Sequence, residues 1–187
     1  MSITYPSRAY DGDMTGQDAA QADAESQRRS RALASPLRLR ILRLCLHEAR
    51  TNKELADELG VNPGTLLHHV RALVSTGFLA AGEPRRGVRG SREVPYLATR
   101  MSWGTEMPGG SRILVQTFLD EIEGVPPDEL QVTRLGLKLN ARTRDEMLER
   151  FAQLFEEYKD RPPDPDGEPL SLMFAEHPEH SRVEREP

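Results

Sequence analysis

Thr51 to Leu79 reads TNKELADELGVNPGTLLHHVRALVSTGFL, and its punctuation divides it into two short amphipathic helices joined by a tight turn. Leu55 and Leu59 stand four apart with Ala56 beside them, which makes one apolar face while Lys53, Glu54, Asp57 and Glu58 stay wet. Gly60 supplies the left-handed residue that ends such a helix, and Val61 can tuck back onto its apolar face. Asn62 and Pro63 restart the chain as an N-cap acceptor and a first helical residue whose missing N–H costs nothing. The second helix is expected over 63–76, with Leu66, Val70 and Leu73 facing inward and Gly77 closing it. At about 100° per residue, Gly64, Thr65, His68, Arg71 and Ser75 fall on the outer side, whereas His69 sits at the core margin.

By itself this pattern fits a plain helical hairpin as well as a helix-turn-helix that reads nucleic acid. The next segment separates the two. Leu79 to Ala81 is a short apolar piece, GEPRRGVRGSRE is rich in Gly and Arg, and VPYLAT is a second extended piece. The three together predict a β-hairpin with a long basic tip over 82–93. Arg85, Arg86, Arg89 and Arg92 crowd that tip at a density suited to phosphate oxygens or a narrow minor groove. A merely solvated charged loop is the competing reading.

Charge is partitioned in the same direction. The net value of -5 hides 14 basic and 6 acidic residues between Arg28 and Arg100. Met1 to Gln27 carries 1 basic and 5 acidic residues, and Met101 to Pro187 carries 10 and 19. The field around the helix and hairpin is therefore positive, and an acidic whole does not argue against a nucleic-acid partner.

ALASPLRLRILRLC (Ala32 to Cys45), then KELADELGVNPGTLLHHVRALVSTGFL, then the Arg-rich hairpin closing on PYLAT, resembles the winged helix-turn-helix regulators of the arsenical-resistance (ArsR) type. Ser35 and Pro36 read as the cap and first residue of that unit's second helix. The resemblance implies double-stranded DNA as partner. DNA reading would fall to the helix holding Thr65, His68 and Arg71, with Asn62 and Gly64 also at the DNA, and phosphate contact to Arg85, Arg86, Arg89 and Arg92 of the wing. It also implies a homodimer on a palindromic operator. The departures matter equally. Members that sense metals carry paired cysteines in the helix before the recognition helix, and Lys53 to Leu59 has none. Cys45, the single cysteine, lies in an apolar run and reads as a core residue. Pro178 between His177 and His180 argues against a shared helical face, so no metal and no cofactor is expected. Leu67 stands where many members carry a serine, so that backbone contact is not carried over.

The fold class expected is mainly α with a minor β part (α+β). It comprises a winged helix-turn-helix domain with a two-stranded wing, a dimerisation helix and a small C-terminal strand-helix-strand unit. Residues 1–26 are polar and acidic without a periodic apolar face, which reads as a disordered arm; 27–100 form the winged domain and 101–110 a connector. Residues 111–180 hold the dimerisation helix and the C-terminal unit, and 181–187 form a disordered tail. Ser111 to Glu123 places Ile113, Leu114, Val115, Phe118, Leu119 and Ile122 at helical spacing, too apolar for a lone surface helix. Leu135, Leu137 and Leu139 alternate in an expected strand over Leu130 to Asn140, and Leu170, Leu172 and Phe174 in a closing one. Between them Thr143 and Glu146 suggest a capping box for a helix striped by Met147, Leu148, Phe151, Leu154, Phe155 and Tyr158.

This C-terminal unit either enlarges the dimer or lines a small-molecule effector pocket with Trp103, Arg134 and Tyr158; the effector is not identified by sequence. No apolar run approaches the roughly 20 residues needed to span a bilayer, no signal-peptide layout opens the chain, and one cysteine suits a reducing compartment, so cytoplasm is expected. No nucleophile set, phosphate loop or paired-carboxylate signature stands out, which points away from an enzyme. A homodimeric repressor is the reading these observations favour, with a winged-helix protein-docking module as the rival.

Overall fold

The computed structural model describes residues 16–87, 90, 92–107 and 109–179. Among the described residues, six helices and five short strands follow one another as α1 (Gly16–Leu33), α2 (Pro36–Leu44), β1 (Arg50–Thr51), α3 (Asn52–Leu59), α4 (Pro63–Ser75), β2 (Leu79–Ala81), β3 (Arg85–Arg86), β4 (Arg92–Glu93), β5 (Pro95–Ala98), α5 (Gly110–Ile122) and α6 (Ala141–Asp160). A 3-10 turn over Met101–Gly104 joins the sheet to α5.

The turn chemistry works as its residues dictate. Gly60 takes φ 63°, and Val61 N–H donates back to the Ala56 carbonyl at 3.0 Å, closing α3. Asn62 accepts from Gly64 N–H at 2.8 Å and Pro63 occupies the first turn of α4. Gly77 repeats the device at φ 80°, and Phe78 N–H reaches the Leu73 carbonyl at 2.9 Å. These turns fold Leu55, Ala56, Leu66, Val70, Leu73, Phe78 and Leu79 onto Leu33, Ile41 and Leu42 of α1 and α2, forming one buried core. Cys45 lies in that core, where burial pushes its thiol up to about 11.

The sheet is antiparallel in the order β1-β5-β2, with Leu79 opposite Ala98 and Arg50 opposite Tyr96. Above it the hairpin continues into a separate two-stranded ladder, β3 on β4. The long basic tip expected on the hairpin is therefore partly paired, and β1 adds a strand whose two residues are too few to show a period. The winged helix-turn-helix is the fold of this part of the chain.

Three expectations change. The arm predicted over 1–26 is helical from Gly16; polar helices without an apolar stripe escape periodicity arguments, and here local pairs support one, with Gln27 donating to Asp23 and Arg29 paired with Glu25. The C-terminal unit retains its helix but not its strands: residues 131–140 and 170–179 are non-helical and in no ladder. Alternation makes a strand plausible, but a strand also needs a partner to take its N–H and C=O groups. Helix α6 begins not on a Thr143 box but on Asn140, whose side chain accepts from Thr143 N–H at 2.9 Å. Residues 1–15 and 180–187, which include the expected tail, lie outside the described residues.

Helix α5 packs on α2, and Arg43 of α2 pairs with Glu121 of α5 at 3.1 Å. Its opposite face stays bare, with Leu114 and Leu119 each 50% exposed. Beyond it, Phe151 of α6 stacks on Phe174 at 4.4 Å between ring centroids, while Leu154 and Tyr158 remain exposed.

Candidate nucleic-acid interface

The inward stripe of α4 fixes what it presents outward. Leu66, Val70 and Leu73 are buried, and this rotation leaves Asn62, Gly64, Thr65, His68 and Arg71 exposed along one side. His69 is half-buried at the edge of the core and meets the His68 ring edge-on at 6.0 Å. Burial, reinforced by Arg38 and by His68, holds His69 below its usual range and favours the neutral ring. Asn62 is already engaged within the fold, since its Oδ1 accepts from the Gly64 N–H, and its first role is to start the helix. Asn62→Ala should cost about 1 kcal/mol in a chemical denaturation experiment, and an unchanged midpoint would show that the cap is idle.

Side-chain bonds tie α3 to α4 and cap the start of α3. Asn52 donates to the Pro63 carbonyl at 3.0 Å, linking the two helix starts. Thr51 and Glu54 form a capping box in which Glu54 N–H donates to Thr51 Oγ1 at 3.2 Å and Thr51 N–H donates to Glu54 Oε2 at 2.7 Å. The hydrogen bond from the Thr51 N–H above all keeps the Glu54 carboxyl below the usual carboxylate range; Arg85 and Arg50 add to it against the opposing effect of burial. Reading Glu54 only as a wet position misses this role, although the T-x-x-E spacing that signals such a box stands in the sequence.

The wing divides its arginines by register. Arg85 lies opposite Glu93, and Arg86 lies opposite Arg92. Arg85 turns toward α3 and pairs with Glu54 at 2.7 Å. Arg86 and Arg92 are both exposed, and directly opposed side chains share a face, so two like charges stand side by side on the ladder. With Glu83, Pro84, Arg85 and Gly90 they line an open cleft at the wing tip. Arg89, expected among the contacts, lies outside the described residues.

The residues suggested for an effector pocket each have local surroundings of their own. Trp103 lies under the Arg100 guanidinium at 5.3 Å, Tyr158 lies under that of Arg161 at 5.6 Å, and Arg134 is exposed on an unpaired segment. Among the described residues, no helix is long and apolar enough to cross a membrane.

Residues 33–80 match the sequence family described as "Helix-turn-helix domain". No curated protein matches the chain. Several solved structures resemble it at low identity. One is the homodimeric winged helix-turn-helix DNA-binding domain of a possible ArsR-family transcriptional regulator from Mycobacterium bovis, 24% identical over 59% of this chain and 94% of that one, with a TM-score of 0.40. Reduced HlyU from Vibrio cholerae is 20% identical over 55% of this chain and 96% of its own, with a TM-score of 0.36. An ArsR-like transcriptional regulator from Rhodococcus is 18% identical over 75% and 99%, also with a TM-score of 0.36.

Proposed function

We propose that this helix-turn-helix protein is a DNA-binding transcriptional regulator of the ArsR type, acting in the cytoplasm as a homodimer. The observation that carries the reading is the pairing of Arg86 with Arg92 on the wing, beside a recognition helix whose outer side is polar. Like charges opposed on a two-residue ladder oppose its formation unless an anion lies between them. A phosphate backbone supplies that anion. Helix α4 would then enter the major groove with Thr65, His68 and Arg71 toward base edges, and the wing would rest on the flanking backbone.

A dimer doubles this arrangement. Its two recognition helices would occupy successive major grooves about 34 Å apart on a palindromic site. Bound across a promoter, it would act as a repressor by excluding polymerase. The exposed face of α5 is the surface we assign to pairing, because Leu114, Val115 and Leu119 lie bare on a helix otherwise seated against α2. The double substitution Leu114→Asp with Leu119→Asp should halve the mass measured by sedimentation while the far-ultraviolet spectrum is kept. A variant that sediments like the wild type moves the interface elsewhere.

The test of DNA binding itself is to select bound duplexes from a random-sequence pool and measure affinity for the winners against salt. Binding should fall steeply, with a log–log slope set by about 0.9 per phosphate contacted. Affinity indifferent to salt would remove the reading and leave the winged helix as a protein-docking scaffold.

A further inference from the structure

The Glu54 carboxylate is divided between two parts of the fold. Oε2 accepts from Thr51 N–H at 2.7 Å and so belongs to the start of α3. Oε1 accepts from Arg85 Nη2 at 2.7 Å and so belongs to the wing, 31 residues farther along the chain. The wing ladder is only two residues per strand and separate from the main sheet, too short to define its own direction. Its orientation relative to the helix-turn-helix must come from contacts made outside the ladder.

We propose that Glu54 is a positioning residue for DNA recognition, a latch that fixes the angle between wing and recognition helix by holding Arg85 while its own second oxygen is anchored at the α3 cap. The proposal rests on the DNA-binding reading above. A guanidinium carries five N–H donors in a rigid fork. Engaging Nη2 with Glu54 leaves Nε and Nη1 for an anion, and the Arg85 side chain is half exposed. Glu54 thereby orients the arginine and sets where β3 sits, and with it Arg86 on the same strand.

This role has a sign that simple charge does not share. Removing a carboxylate near a polyanion should tighten binding by Coulomb repulsion alone. A latch predicts the reverse. The experiment uses the full chain, the duplex selected by the wild type, and four proteins: wild type, Glu54→Gln, Arg85→Gln and the double variant. Glutamine at 54 keeps an acceptor for Thr51 N–H, and Arg85→Gln leaves α3 untouched if Glu54→Gln folds poorly. We expect Glu54→Gln to bind about threefold more weakly, the scale of one exposed ion pair, and the double variant to bind no more weakly than Arg85→Gln. Glu54→Gln binding as tightly as the wild type or more so overturns the proposal, as do losses that simply add. Should the wild type bind no duplex, the regulator reading fails separately, and the latch is judged by amide exchange at Arg86 and Glu93. Faster exchange in Glu54→Gln supports it; equal exchange overturns it.

Discussion

Phe78→Ala is expected to destabilise the protein by about 3–5 kcal/mol, the range for emptying a fully buried aromatic site. Phe78 is 1% exposed and lies where three elements meet. Its N–H closes α4 on the Leu73 carbonyl, and its own carbonyl accepts from Thr99 N–H at 3.0 Å and from Thr99 Oγ1 at 3.3 Å. Its ring fills the core shared by α2, α3 and α4, so truncation leaves a cavity that fixed helices cannot close. Since small domains have about 5–15 kcal/mol in total, the variant should lose a large part of that margin. Urea titration measures this directly. A loss below about 1 kcal/mol would mean that the core is organised elsewhere.

The second large effect separates two kinds of arginine. Arg71→Ala should cost about 1–3 kcal/mol on the preferred duplex and much less on unrelated sequence, because a base-edge contact carries discrimination. Arg86→Ala with Arg92→Ala should weaken binding on all sequences, roughly tenfold, and lower the salt slope by about 2. The folded state should tolerate the second change well, since it removes a like-charge pair. Mobility shifts at several salt concentrations distinguish the patterns. Full binding after Arg71→Ala and Arg86→Ala together would refute DNA recognition through these surfaces.

The helix-turn-helix is legible in the sequence because its boundaries are chemical. Gly60, Asn62, Pro63 and Gly77 each do one local thing, and the structure has each doing it. The outer side of α4 follows from its inner stripe without further information. What the sequence conceals is long-range or partner-dependent. Arg85 reads as one more wing cation, and only the fold brings it 2.7 Å from Glu54. The extension of α1 to Gly16 rests on exposed side-chain pairs, which leave no hydrophobic period. Around Leu135 and Leu172 the alternation is real as a pattern yet forms no element, because a pattern does not supply the neighbouring strand. On the outer side of α4, Thr65, His68 and Arg71 are exposed and none of them fills the core, which is the condition under which side chains are free to serve a ligand.

Buried residues among those described are unevenly placed: the hydrophobic ones end at Leu79, and Thr117 on α5 is the last polar one. Substitutions in the head are therefore met by close packing, whereas those in the C-terminal third fall on exposed or half-exposed positions where most changes cost little. The two halves should consequently drift at different rates over generations. A lineage can rewrite α6 and its flanking segments while the helix-turn-helix stays foldable, so one winged domain can be handed down with a succession of different attachments.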